Sequence, residues 1–62
     1  MPIVTVEMWS GRTDDQKAEL AKAITDAVVK IAKTTPEATI IVFRDVEKED
    51  WAQGGKLASD MK

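Results

Sequence analysis

The chain has no cysteine and no histidine. The first absence excludes disulfides, and the two together remove the common zinc ligand sets. Imidazole acid–base chemistry is excluded as well. A positive charge excess is also missing. Nine Lys and Arg against eleven Asp and Glu leave a net charge of −2. That is a poor match to a phosphate backbone, and no aromatic–basic patch appears, so no nucleic-acid partner is expected. No apolar run approaches a membrane span and no signal-peptide pattern is present, so no membrane partner is expected. The lack of cysteine fits a cytoplasmic location. There is no internal repeat and no low-complexity segment.

Length is scarce too. Sixty-two residues allow one domain, taken here as residues 1–62. A chain this short buries too little apolar surface to be comfortably stable alone. Small chains compensate with disulfides, a metal or oligomerisation. With cysteine and histidine absent, association with copies of itself remains.

The first eight residues organise what is there. Pro2 is followed by the β-branched run Ile3–Val6, and the strand is expected from Ile3 to Met8. Proline is tolerated at the first position of a strand, where its missing amide hydrogen is not needed. Apolar groups at Ile3, Val4 and Val6 suggest burial on both faces. Met-Pro also favours removal of the initiator methionine. Removal leaves Pro2 as a secondary amine on a rigid ring, pinned to a core strand. That is a positioned base that needs neither histidine nor cysteine. The plain alternative is that Pro2 only begins the strand.

Ser10-Gly11-Arg12 breaks the strand, with Gly11 as the turn residue. Arg12 then stands near the end of the strand opposite Pro2. Thr13-Asp14-Asp15-Gln16 fits a capping box. A helix of about 30 Å is expected from Asp14 to Lys33. Its apolar stripe is Leu20, Ile24, Ala27, Val28 and Ile31, with Lys17, Lys22, Asp26 and Lys30 solvated. Thr34-Thr35-Pro36 ends it.

Ala38 to Val46 reads as the second strand. Strand, helix, strand predicts a βαβ unit with parallel strands and a right-handed crossover. One helix covers one face of such a sheet. The other face, rich in Ile, Val and Phe, then needs another subunit. Glu47-Lys48-Glu49-Asp50 is expected to be a solvated turn. Gly54-Gly55 suits a tight hairpin. Trp51, a large aromatic beside those glycines, either closes a pocket or fills an interface, and the residues alone favour the interface. The tail Lys56–Lys62 is expected to pack on a neighbour. The fold class is α+β: one βαβ unit with a C-terminal hairpin, oligomeric.

Together these features resemble the 4-oxalocrotonate tautomerase family of the tautomerase superfamily. The residues that carry the resemblance are Met1-Pro2-Ile3, Gly11-Arg12-Thr13-Asp14 with Gln16-Lys17, Trp51 with Gly54-Gly55, and Leu57-Ala58-Ser59. It covers essentially the whole chain. The resemblance implies a tautomerase/MIF-like fold and a homohexamer, a trimer of dimers with sites shared between subunits. It implies Pro2 as the catalytic general base, Arg12 as the group that binds a distal carboxylate, and Trp51 as an aromatic lining the pocket. The implied activity is isomerisation of 2-hydroxymuconate-like enols to 2-oxo-enoates in aromatic hydrocarbon catabolism, without cofactor or metal. A small enol or keto acid is the expected partner.

The physics of such a site is consistent. A terminal amine titrates near pH ~8 in model peptides. Burial and nearby cations both lower that value toward neutrality, which suits a base for proton transfer at carbon. One departure stands out. The family's second arginine, near the start of the second strand, falls here at Ile40 or Ile41, and Arg44 lies too far along to align with it. Two other readings remain open at this stage: a proline-based dehalogenase or decarboxylase of the same superfamily, and a non-catalytic self-assembling or binding protein.

Overall fold

The computed structural model describes residues 1–61. Strand β1 spans Ile3–Trp9 and strand β2 spans Ile40–Val46. They pair in parallel, from Ile3 opposite Ile40 to Trp9 opposite Val46. Helix α1, Asp14–Ala32, connects them. A parallel pair needs such a long crossover, because a tight turn cannot return the chain to the same end. The result is the expected α+β fold with one βαβ unit.

Local chemistry sets the ends of α1. The Thr13 hydroxyl accepts from the Gln16 N–H at 3.1 Å, and the Gln16 side chain accepts from the Thr13 N–H at 2.9 Å. Both bonds satisfy amides that have no partner inside the helix. Asp14 and Asp15 add negative charge where the helix dipole favours it. The helix ends at Ala32, one residue earlier than expected. Lys33 takes a left-handed conformation, φ 59°, and forms the C-cap. Strand β2 also begins later than expected, at Ile40 rather than Ala38. Pro36–Ala38 form a 3-10 turn, with the Thr35 hydroxyl accepting from the Ala38 N–H. Proline suits the first position of that turn.

Side chains alternate across the sheet. In β1, Val4, Val6 and Met8 are half-buried, while Ile3, Thr5 and Glu7 are exposed. Asp45 reaches Lys17 on the helix at 2.7 Å. Asp45 therefore faces α1, and Phe43 and Ile41, of the same parity, face it too. Phe43 thus belongs to the helix side and not to the open face where it was expected. The open face carries Ile3, Thr5, Glu7 and Trp9 beside Ile40, Val42, Arg44 and Val46.

The helix stripe is rotated from the expected one. The half-buried positions are Lys17, Ala21, Ile24, Thr25, Val28 and Val29. Leu20, Ala27 and Ile31 are exposed, Ile31 by 79%. At about 100° per residue these three share the adjoining flank. A two-stranded sheet is too narrow to cover both. Ala27, Val28, Ile31 and Ala32 line a shallow apolar groove of about 270 Å³ there. Lys17, expected in solvent, is instead largely covered by its contact with β2, whereas Lys22 pairs with Asp26 in the open as expected.

Beyond β2, Lys48–Asp50 form a 3-10 turn. Strands β3, Ala52–Gln53, and β4, Lys56–Leu57, make the expected hairpin around Gly54 and Gly55. Both glycines have positive φ, 63° and 82°, as a two-residue primed turn requires. Residues 56–61 of the tail fold back toward Trp51 of their own chain. The Ala58 N–H donates to the Trp51 carbonyl at 2.7 Å, and Ala58 is the buried apolar residue among those described. Lys62, also assigned to that tail, lies outside the described residues.

The Lys17–Asp45 bond joins two elements 28 residues apart. Asp45→Asn should cost about 0.5–1 kcal/mol at low salt. The loss should fade at about 1 M salt, where screening is nearly complete. Urea unfolding at fixed protein concentration measures it. A double-mutant cycle with Lys17→Met isolates the pair, and zero coupling would mean the contact adds nothing.

Candidate functional site

Pro2 is half-buried at the start of β1. Its carbonyl accepts from the Ile40 N–H at 3.0 Å, which extends the ladder one residue past Ile3. The chain start is therefore tied to the sheet where most chain ends fray. Met1 ahead of it is 85% exposed. While Met1 is attached, the Pro2 nitrogen is an amide without a basic lone pair. Cleavage at an exposed residue turns it into an amine without disturbing the Pro2 carbonyl bond.

Arg12 lies beyond the other end of β1. Its Nη1 donates to the Trp9 carbonyl at 3.3 Å, and the side chain is exposed. Gly11 makes this possible with φ 122°, a conformation that favours glycine. Trp51 is half-buried against Trp9, with ring centroids 5.9 Å apart and planes at 76°. This is the edge-to-face geometry that aromatic quadrupoles favour. The Lys48 Nζ lies 5.0 Å from the centroid of the Trp9 ring. The Trp9 indole N–H is buried without an acceptor among the described residues.

Arg12 and Trp51 thus meet around Trp9, and Pro2 does not join them. Seven residues of strand separate the two ends, roughly 23 Å at the usual rise. A small acid cannot bridge that distance within one chain. Ile40, where the second arginine was sought, stands beside Pro2, and Arg44 lies mid-strand opposite Glu7. The apolar groove on α1 carries no ionisable group and lies on a different element.

Sequence reasoning did not single out Trp9 or Lys48. Trp9 was legible in principle. It shares parity with Ile3, Thr5 and Glu7, and so falls on the open face at the end nearest Arg12. Lys48 gave no such signal, since a lone lysine in an acidic run reads as solvent-exposed. Among the described residues, no group of three or more His, Cys, Asp or Glu is placed to hold a metal. No helix among them is long and apolar enough to cross a membrane.

Comparison with known proteins gives a consistent result. The chain is 39% identical over 62 residues to 2-hydroxymuconate tautomerase of Bacillus subtilis (strain 168), covering 100% of both. Among solved structures it is similar to YwhB, a homologue of 4-oxalocrotonate tautomerase. That match has a TM-score of 0.94, 38% identity, and coverage of 98% of this chain and 100% of the other. It is also similar to a heterohexamer 4-oxalocrotonate tautomerase from Chloroflexus aurantiacus J-10-fl. Here the TM-score is 0.92, with 26% identity and 100% of both chains covered. The family model described as tautomerase enzyme matches residues 2–61, from the anchored proline to the tail folded against Trp51, and the chain belongs to that family.

Proposed function

We propose that this tautomerase converts 2-hydroxymuconate-like enols to 2-oxo-enoates, with Pro2 as general base once Met1 is removed. The observation that carries the reading is the anchoring of Pro2 by the Ile40 N–H at 3.0 Å. A base held at a fixed point is what proton transfer to and from a bound enol requires. In the reaction, the Pro2 nitrogen takes the proton of the 2-hydroxyl group. The oxygen's electron pair closes the 2-oxo group, and the conjugated double bonds shift. The protonated amine then returns its proton to carbon. Nothing is gained or lost overall, so the step needs no cofactor. Arg12 holds a distal carboxylate and Trp51 lines the pocket.

Because Pro2 and Arg12 stand at opposite ends of the sheet, the working site combines Pro2 of one copy with Arg12 and Trp51 of another. Surface area supports such an assembly. The chain exposes 4922 Å² and weighs 6.8 kDa. A compact monomer of that mass exposes about 4,000 Å². Its radius of gyration is 14.6 Å, against roughly 11 Å for a compact chain of this length. The excess area is similar to the ~800 Å² that each partner contributes to a standard interface. Exposed Ile3, Ile31 and the flank groove supply apolar surface for it. We take the assembly to be a homohexamer, a trimer of dimers, with the whole chain as one tautomerase domain.

Processed enzyme should ketonise enols with a rate that rises through one ionisation near neutral pH. The sign follows because the unprotonated amine is the active form. A variant that retains Met1 should fold normally and be nearly inactive; equal rates in the two forms would exclude the proline mechanism. Sedimentation at micromolar concentration should show an oligomer. A compact monomer that unfolds cooperatively would contradict the shared site. For Arg12, a charge-assisted hydrogen bond contributes about 1.5–3 kcal/mol, so Arg12→Ala should lower kcat/KM on 2-hydroxymuconate roughly ten- to a hundredfold. The monoacid 2-hydroxy-2,4-pentadienoate should suffer much less. Equal losses on both would place Arg12 at the shared 2-hydroxy-acid end.

A further inference from the structure

Lys48 is the one cation in the run Glu47–Asp50, yet its ammonium does not turn back to those acids. Among the described residues, the ion pairs within 4.0 Å are Lys17–Asp45 and Lys22–Asp26, and neither Lys48 nor Arg12 takes part in one. Lys48 instead rests on the Trp9 ring, 5.0 Å from its centroid. Arg12 touches the same residue through its carbonyl. Trp51 closes on the same ring from its edge. Two cations with no acidic partner among the described residues thus contact one tryptophan, Lys48 at its ring and Arg12 at its carbonyl.

We infer that Lys48 is a specificity-determining residue, a second cation that binds the distal carboxylate of a diacid together with Arg12. The choice of substrate rests on the tautomerase reading above; the carboxylate site does not. A cation–π contact at an exposed position is weak and leaves the ammonium's three donors free. A carboxylate has about four lone-pair positions, so it can accept from a guanidinium fork and an ammonium at once. The Trp9 ring holds the Lys48 ammonium only weakly, at 5.0 Å from its centroid, so the ammonium can turn to a carboxylate at small cost. Lys48 does not stand in for the missing second arginine. That position, Ile40, is at the Pro2 end of the chain. Lys48 stands instead at the end of the sheet that holds Arg12 and Trp9, so discrimination between diacid and monoacid is made there.

The test uses the processed, full-length protein and two variants. Lys48→Met keeps a long unbranched side chain and removes the charge. Lys48→Arg keeps the charge. The first readout is the ratio of kcat/KM on 2-hydroxymuconate to that on 2-hydroxy-2,4-pentadienoate. Lys48→Met should lower this ratio roughly five- to tenfold, through KM rather than kcat. Lys48→Arg should restore most of it. An unchanged ratio overturns the inference, as does a loss shared equally by both substrates. The second readout is binding of muconate, a dicarboxylate without the 2-hydroxyl group, followed by calorimetry. If the wild type turns over neither enol but binds muconate, with Lys48→Met binding several-fold more weakly, the carboxylate site stands and the tautomerase reading falls. If muconate binds the wild type and Lys48→Met equally, or binds neither, Lys48 is only a structural contact on Trp9.

Discussion

Most of this structure depends on the parallel ladder between β1 and β2. Parallel pairing requires a crossover, and α1 provides it. The same ladder decides what each residue faces. A slip of β2 by one residue would turn its side chains to the opposite faces of the sheet. It would break the Lys17–Asp45 bond and point Phe43 away from the helix. It would also release the bond from the Ile40 N–H to the Pro2 carbonyl. Structural register and chemical positioning are therefore one constraint.

That constraint also separates the candidate site residues. Because the strands run in the same direction, the start of β1 lies beside the start of β2, and the turn after β1 lies beside the loop after β2. Pro2 and Ile40 share one end; Arg12, Lys48 and Trp51 share the other. No rearrangement of loops brings the two ends together, since about seven strand residues lie between them. The shared site proposed above would resolve the problem by association. The features that make it a poor monomer, an uncovered sheet face and an exposed helix flank, are the ones a shared site requires.

The order of elements was legible in the sequence because each is marked by strong local chemistry. Pro2 before a β-branched run, the Thr13–Gln16 capping box and the Gly54-Gly55 turn each allow few alternatives. Details that depend on tertiary partners were not legible. The stripe Leu20, Ile24, Ala27, Val28 and Ile31 is genuinely apolar, but periodicity alone cannot say which flank a narrow sheet will cover. Lys17 looked solvated because its partner, Asp45, is 28 residues away. Phe43 was placed on the open face because parity along β2 is fixed only once the register is known. Of the candidate site, Pro2 and Arg12 could be located at opposite ends from strand order alone. The Trp9–Trp51 contact could not, because it depends on how the final loop folds back.

The distribution of charge follows from the same geometry. Near Pro2 the exposed neighbours are Ile3 and Ile40, both apolar. An amine in apolar surroundings favours its neutral form, because burial penalises the ammonium. A nearby arginine would push in the same direction and would also grip the substrate. Without that arginine, neutrality of the base would rest on desolvation and on the cations that a second copy brings to a shared site. Grip must come from elsewhere, and the cations available at the opposite end are Arg12 and Lys48. The proposed function therefore divides proton transfer and substrate recognition between the two ends of the sheet. On the proposed reading, the apolar end would favour the free base, and Arg12, Lys48 and the two tryptophans at the other end would hold the acid.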